Sequence, residues 1–198
     1  MCIRDSPRPE TELLVENILK YNMYSKPSVL DIGVGSGCIL ISLVKELKSR
    51  GVGLDISNNA LKIAYKNIKY FRLIDKIKLR KANLEYFKIR RFDIIVSNPP
   101  YIPKYEIKNL AEDIKNHEPL LALNGGNDGL DVIKKVIYKS VQILKLKGLL
   151  ALEIGNGQYR DISKILNSNG FRQLSAVRDF KNNIRCIISR LENLNKFK

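Results

Sequence analysis

The stretch from Ser28 to Leu47 restricts the possible folds more than any other part of the chain. Ser28 to Ile32 is a short apolar run that passes into Asp31-Ile32-Gly33-Val34-Gly35-Ser36-Gly37, and Cys38 to Leu47 then reads as a helix. A glycine-rich turn between strand and helix belongs to an open α/β sheet, at the strand's carboxyl end, where such sheets bind ligands. Glycines at 33, 35 and 37 permit unusual backbone angles and let a ligand approach the main chain closely. Their spacing is not the G-x-G-x-x-G of a pyrophosphate cradle, so a dinucleotide is not the first choice.

The rest of the chain repeats this alternation. Gly51 to Leu54 is a second strand ending at Asp55, about twenty residues past the glycine turn, where an acid can accept hydrogen bonds from ribose hydroxyls. An Asp just ahead of Ser57 is also a common helix-start residue. Leu61, Ala64, Ile68 and Phe71 mark the next helix, and Lys78 to Lys81 a third strand. Asn83 and Leu84 follow at the same edge, either bordering an adenine or making an ordinary exit from the strand.

Phe92 to Ser97 is a buried strand leading into Asn98-Pro99-Pro100-Tyr101. Two prolines fix φ and remove two N–H groups, so this turn is stiff and presents mainly carbonyl acceptors. Asn98 adds an amide and Tyr101 a flat ring. Such a set suits a planar group bearing NH2, an amide or an aminated base. Ile102 to Gly129 is irregular and long enough to cover an active site. It holds the only histidine, His117, which reads as structural or solvent-facing because no partner suggests a nucleophilic triad. Leu130 to Leu144 is a helix, Leu149 to Ile154 a strand and Tyr159 to Leu166 a helix. Gly170 to Val177 and Ile184 to Arg190 then pair as an antiparallel hairpin. Alternating strands and helices favour a doubly wound, mostly parallel sheet.

At 198 residues the chain is expected to form a single domain. The first six residues, Met1 to Ser6, connect to nothing after them and read as a non-native leader, leaving 7–198 as the domain. Pro7-Arg8-Pro9-Glu10-Thr11-Glu12 is a helix start, and Leu14, Val15, Ile18 and Leu19 form its inward face. Neither a membrane-spanning run nor a secretory core is present in the sequence, so a cytoplasmic protein is the default. Cys2, Cys38 and Cys186 fit no disulfide framework and no zinc spacing. The net charge of +15 favours an anionic neighbour such as RNA, DNA or a ribosome, or reflects a general bias toward lysine.

The glycine turn, Asp55 and Asn98-Pro99-Pro100-Tyr101 together resemble a class I S-adenosylmethionine-dependent methyltransferase. The four-residue turn is similar to the signature of enzymes that methylate adenine N6, cytosine N4 or the glutamine amide N5. Pro7-Arg8-Pro9-Glu10-Thr11-Glu12, His117-Glu118-Pro119-x-x-Ala122-Leu123 and Gly125-Gly126-x-Asp128-Gly129-Leu130 resemble the release factor glutamine methyltransferases of the HemK/PrmC type. The resemblance implies a seven-stranded Rossmann-like methyltransferase sheet and S-adenosylmethionine as cofactor, with no metal. It implies cofactor contacts from Asp31, Gly33, Val34, Gly35, Ser36, Gly37, Asp55, Asn83, Leu84 and Asn98. Catalysis and substrate binding would fall to Asn98, Pro99, Pro100 and Tyr101, and the substrate would be a class I peptide chain release factor. Leu84 stands where some members carry an aromatic residue and Asn83 where Asp is frequent. The family's small helical N-terminal domain is missing ahead of Pro7, which implies truncation. The rival readings are a DNA or RNA adenine-N6 or other amino-methyltransferase, and an inactive cofactor-binding fragment.

Overall fold

The computed structural model describes residues 9–88, 91–110, 112 and 119–193, of which residues 9 and 10 by their backbone alone. Met1 to Ser6, Pro7-Arg8, His117 and Glu118 lie outside the described residues.

Helix α1 (Pro9–Tyr21) opens the described chain, and Leu14 and Ile18 on its inner face are fully buried. Then β1 (Ser28–Ile32), α2 (Cys38–Glu46), β2 (Arg50–Asp55), α3 (Asn58–Tyr70), β3 (Ile77–Lys81) and β4 (Phe92–Ser97) alternate as the hydrophobic pattern requires. The short α4 (Leu120–Leu123) precedes α5 (Asp131–Ile143), β5 (Leu144–Glu153), α6 (Tyr159–Ser168), β6 (Phe171–Arg178) and β7 (Ile184–Leu191). The seven strands form one sheet in the order β3-β2-β1-β4-β5-β7-β6. Strands β1 to β5 are parallel, and β7 runs antiparallel to both neighbours.

Both sheet faces are covered, and side chains alternate between them with the period of a strand. Leu30, Ile95, Leu150 and Ile187 pack with Ile133, Ile137 and Ile162 of α5 and α6. Their neighbours Val29, Ile94, Leu149 and Ile188 pack with Leu14, Leu40, Leu43 and Ile68 of α1, α2 and α3. Each such fully buried aliphatic side chain contributes about 1.5–3 kcal/mol of burial. Helix α2 lies so close to β2 that a Cβ at Gly51 would stand 2.6 Å from Leu40 Cδ1.

Three local differences from the sequence reading have clear causes. Helix α3 stops at Tyr70, so Phe71 leaves the inward stripe, is 44% exposed, and sits beside the Lys45 ammonium; Leu73 fills the buried place instead. Leu144 belongs to β5 rather than to the preceding helix, because it pairs with Phe92 before the polar Lys145-Leu146-Lys147 stretch. The stretch expected to be irregular is not wholly so: Ile107–Asn109 is a 3-10 turn, α4 follows, and Ile102 bridges to Asn124.

Candidate functional site

The strand order reverses direction between β1 and β4, the topological switch point at which open α/β sheets bind ligands. In the register of this pair Ile32 stands opposite Ser97, so Gly33 and Asn98 are the first residues beyond the paired strands. Parallel neighbours are about 4.8 Å apart, which places the origins of the two turns side by side. Buried Ser97 fastens them, its Oγ donating to the Ile32 carbonyl at 2.7 Å.

On the β1 side the glycine turn is a backbone construction. Gly33, Gly35 and Gly37 have φ of 75°, 54° and 84°, in the left-handed region that favours glycine. The N–H groups of Gly33 and Val34 both donate to the Leu54 carbonyl, at 2.8 and 3.0 Å. Val34 turns its side chain into the core and spends its carbonyl on Gly37 N–H, so it supports the turn from beneath. Asp55 closes the structure: one carboxylate oxygen accepts from Gly35 N–H at 3.0 Å, the other from Ser57 N–H at 2.8 Å. A carboxylate has about four acceptor positions, so capacity remains for a ligand's hydroxyls. A Cβ at Gly33 would meet nothing within 4 Å, whereas a Cβ at Gly37 would touch Ala64 at 3.4 Å. Open space therefore lies above the first glycine of the turn. Ser36 gives its carbonyl to Asn67 Nδ2. Asn83 is exposed and caps the short turn Leu84–Tyr86 through Glu85 N–H, while Leu84 packs partly on the core.

Asp31 is the electrostatic outlier. It is 1% exposed, no hydrogen bond of good geometry reaches either carboxylate oxygen among the described residues, and the Leu40 N–H only weakly favours its charged form. Burial, then the nearby Asp55 carboxylate, pushes its pKa up to about 7. A cationic ligand would relieve both effects. The open space over Gly33, the ribose-type acceptor at Asp55 and this uncompensated acid together fit a nucleoside that carries positive charge.

On the β4 side the Asn98-Pro99-Pro100-Tyr101 turn is held by distant side chains. Pro99 is buried, and Asn98, Pro100 and Tyr101 are half-buried. Gln158 Nε2 donates to the Tyr101 carbonyl at 2.9 Å and to the Gly129 carbonyl at 3.2 Å, while Gln158 Oε1 accepts from Gly155 N–H at 2.8 Å. Arg185 donates to the Tyr101 hydroxyl at 2.9 Å, with its guanidinium carbon 5.4 Å from the ring centroid. Glycines make the room: a Cβ at Gly125 would stand 2.8 Å from Tyr101 Cα, and one at Gly155 3.1 Å from Tyr101 Cδ2. The Ile102 N–H to Leu123 carbonyl bond and the Gly125 N–H to Ile102 carbonyl bond lay Leu123 to Gly125 alongside the residue that follows the turn.

All four turn residues and the residues from Asp31 to Gly37 thus meet at one edge with Asp55, while Asn83 and Leu84 sit at its β3 end. Gln158, Arg185 and Ser97 were not singled out from the sequence. Gly155-x-x-Gln158, directly after the fifth parallel strand, is the one local signal that points to this edge. Glu153, 1% exposed at the end of β5, is a further addition; it accepts from Thr11 at 3.3 Å and so ties α1 to the site edge. Among the described residues no cluster of His, Cys, Asp and Glu could hold a metal ion, and no helix is long and apolar enough to cross a membrane.

Residues 5–126 match the family model described as "Methyltransferase small domain". The chain is 43% identical over 188 residues to the release factor glutamine methyltransferase of Fusobacterium nucleatum, covering 93% of this chain and 53% of that protein. It is 38% identical over 191 residues to the release factor glutamine methyltransferase of Clostridium botulinum, covering 93% of this chain and 67% of that one. The chain therefore spans about half to two thirds of the length of these curated relatives. Among solved structures, the ribosomal protein L11 methylase of Lactobacillus delbrueckii superposes with a TM-score of 0.69 at 21% identity, covering 94% of this chain and 80% of that one. That likeness establishes the doubly wound methyltransferase fold.

Proposed function

The chain belongs to the release factor glutamine methyltransferase family, and on that premise we propose that it methylates the side-chain amide nitrogen of the glutamine in a release factor's Gly-Gly-Gln loop. The observation that carries the reading is the placement of a rigid, acceptor-rich Asn98-Pro99-Pro100-Tyr101 turn beside a nucleoside-type site on the neighbouring strand. S-adenosylmethionine, when bound, supplies an activated methyl group. Gly33 to Gly37, Asp55 and Asp31 would hold it, with Asp31 answering its positive charge. Residues 7–198 form the catalytic domain in this reading, and the cytoplasm is where the protein meets its substrate.

An amide nitrogen is a poor nucleophile because its lone pair is delocalised into the carbonyl. The two amide hydrogens of the substrate glutamine are accepted by Asn98 Oδ1 and the Pro99 carbonyl oxygen. That fixes the nitrogen's orientation and stabilises the positive charge that grows on it as its new bond to carbon forms. As the nitrogen–carbon bond forms the methyl–sulfur bond would break, the neutral thioether leaving with the bonding pair, and one amide proton passes to solvent to give the neutral methylamide. Pro100 contributes by rigidity, since neither proline has an N–H to compete with the substrate's donors. Tyr101, held by Gln158 and Arg185, walls the planar amide.

The test is mass spectrometry of a purified release factor incubated with the protein and S-adenosylmethionine, beside parallel incubations with DNA and RNA. The expected result is a gain of about 14 Da, one methylene, on the Gly-Gly-Gln glutamine. Methylated adenine with unmodified protein would move the activity to nucleic acid and overturn the proposal.

A further inference from the structure

At the same sheet edge, beyond Tyr101, the chain entering α6 and the turn joining β6 to β7 enclose a cavity of about 250 Å³ that is open to solvent. Its charged lining is cationic. Arg160 and Arg178 stand in its wall with the amides of Asn156, Asn182 and Asn183. Arg178 is pinned across the hairpin by a 2.6 Å bond to the Asn182 carbonyl, which leaves its remaining N–H groups for a ligand. Arg160 has no ion-pair partner among the described residues. The nearby carboxylates are committed elsewhere: Asp179 accepts from the N–H groups of Lys181 and Asn183, and Asp161 faces Lys164 at 3.7 Å.

The cavity is joined to the acceptor turn through its walls. Gly157 immediately precedes Gln158, which holds the Tyr101 carbonyl, and Ile184 immediately precedes Arg185, which holds the Tyr101 hydroxyl. Phe180, which falls in the chain between the lining residues Arg178 and Asn182, is 93% exposed. The volume lies below the roughly 300 Å³ at which sites for whole small-molecule ligands begin, so it suits a single side chain. Two guanidinium groups and three side-chain amides in one lining match a carboxylate in charge and in hydrogen-bonding capacity.

We propose that this cavity is a second substrate subsite, which receives an aspartate or glutamate side chain of the same protein that presents the acceptor glutamine. Arg160 and Arg178 pair with that carboxylate, and Phe180 packs on the adjoining apolar surface of the substrate. The inference rests on the protein-acceptor reading above.

Two measurements test it. In the first, the Arg160→Glu/Arg178→Glu double variant is assayed against a full-length release factor. A fall in kcat/KM of about tenfold is expected, the scale of two partly exposed ion pairs, and it should be carried by KM. An unchanged KM in an active preparation would overturn the subsite while leaving the methylation reading intact. In the second, which needs no turnover, the side-chain amide signals of Asn156, Asn182 and Asn183 are followed by NMR during titration with N-acetylglutamate methylamide. Inorganic phosphate and a short RNA serve as the comparison ligands. Saturable shifts with the glutamate probe, absent in the double variant, support the subsite. Absent shifts, or shifts produced by the RNA and not by the glutamate probe, contradict it. Failure of the wild-type chain to methylate any release factor would instead strike the function reading, and the NMR titration would still decide the cavity.

Discussion

The two halves of the site are built by opposite means. On the β1 side a short contiguous stretch makes its own shape, from three left-handed glycines and from backbone N–H groups that close onto Leu54 and Asp55. It leaves open space at Gly33 and an unpaired acid at Asp31. On the β4 side the turn is stiffened by its prolines but located from far away, by Gln158 and Arg185, 57 and 84 residues along the chain. There the glycines relieve crowding against Tyr101. The half that would hold the cofactor keeps room for a ligand, and the half that would hold the acceptor amide is packed to fix its acceptors in place.

This contrast can be broken in order of effect. Asn98→Ala should lower methyl transfer by about two to three orders of magnitude, the scale of losing one electrostatic stabiliser, with cofactor affinity largely retained. Single-turnover rates beside calorimetric titration of S-adenosylmethionine check both parts; near-normal transfer would remove Asn98 from its role. The glycine pair sharpens the point. Gly129→Ala combines a φ of 76° with overlap on the Tyr101 carbonyl and Gln158 Nε2, and should destabilise the fold by about 3 kcal/mol in chemical denaturation. Gly33→Ala has similar strain, a φ of 75°, but no overlap, and should cost about 1 kcal/mol while weakening cofactor binding. Equal losses of stability in the two variants would erase the distinction between an open turn and a packed one.

Gln158→Ala strips one donor from two carbonyls and the acceptor from Gly155 N–H. Transfer should slow by about tenfold, equivalent to about 1.4 kcal/mol, with cofactor affinity unchanged. A change confined to cofactor affinity would mean that Gln158 serves the other half. The smallest effect is a pH dependence. The Asp31 pKa is raised from an ordinary 3.8 to about 7, so the folded ligand-free chain binds this proton more tightly than the unfolded chain. Stability from this group is therefore lost as pH rises from about 4 toward 7, and stays lost above. Melting temperatures across that range should fall less in Asp31→Asn, and wild-type affinity for the cationic cofactor should rise through pH 7. A pH-independent affinity would contradict the pairing of Asp31 with that charge.

The same contrast explains what could be read in advance. Ser28 to Asp55 announces itself because strand, left-handed turn and capping acid are consecutive, and each residue type has a local reason to be there. Asn98 to Tyr101 was legible as a stiff acceptor turn for similar reasons. What holds it was not, since Gln158 and Arg185 are ordinary residue types whose partners are set by how β5 and β7 lie beside β4. The pairing of the last two strands was legible from their spacing, but the insertion of β7 between β5 and β6 depends on tertiary packing. Helix ends followed the same rule: Phe71 fits the period of α3, and only the stop at Tyr70 takes it out of the core. The raised pKa of Asp31 belongs to burial, which no local pattern encodes.

The most direct test of the central claim is a competition in one vessel. Methyl-labelled S-adenosylmethionine is supplied with a release factor, or with its variant carrying glutamate in place of the Gly-Gly-Gln glutamine, in the presence of DNA and RNA. Label entering the release factor, absent from the glutamate variant and from nucleic acid, is the predicted result. Equal labelling of both release factors, or label found in nucleic acid alone, would contradict an amide acceptor held by Asn98 and Pro99.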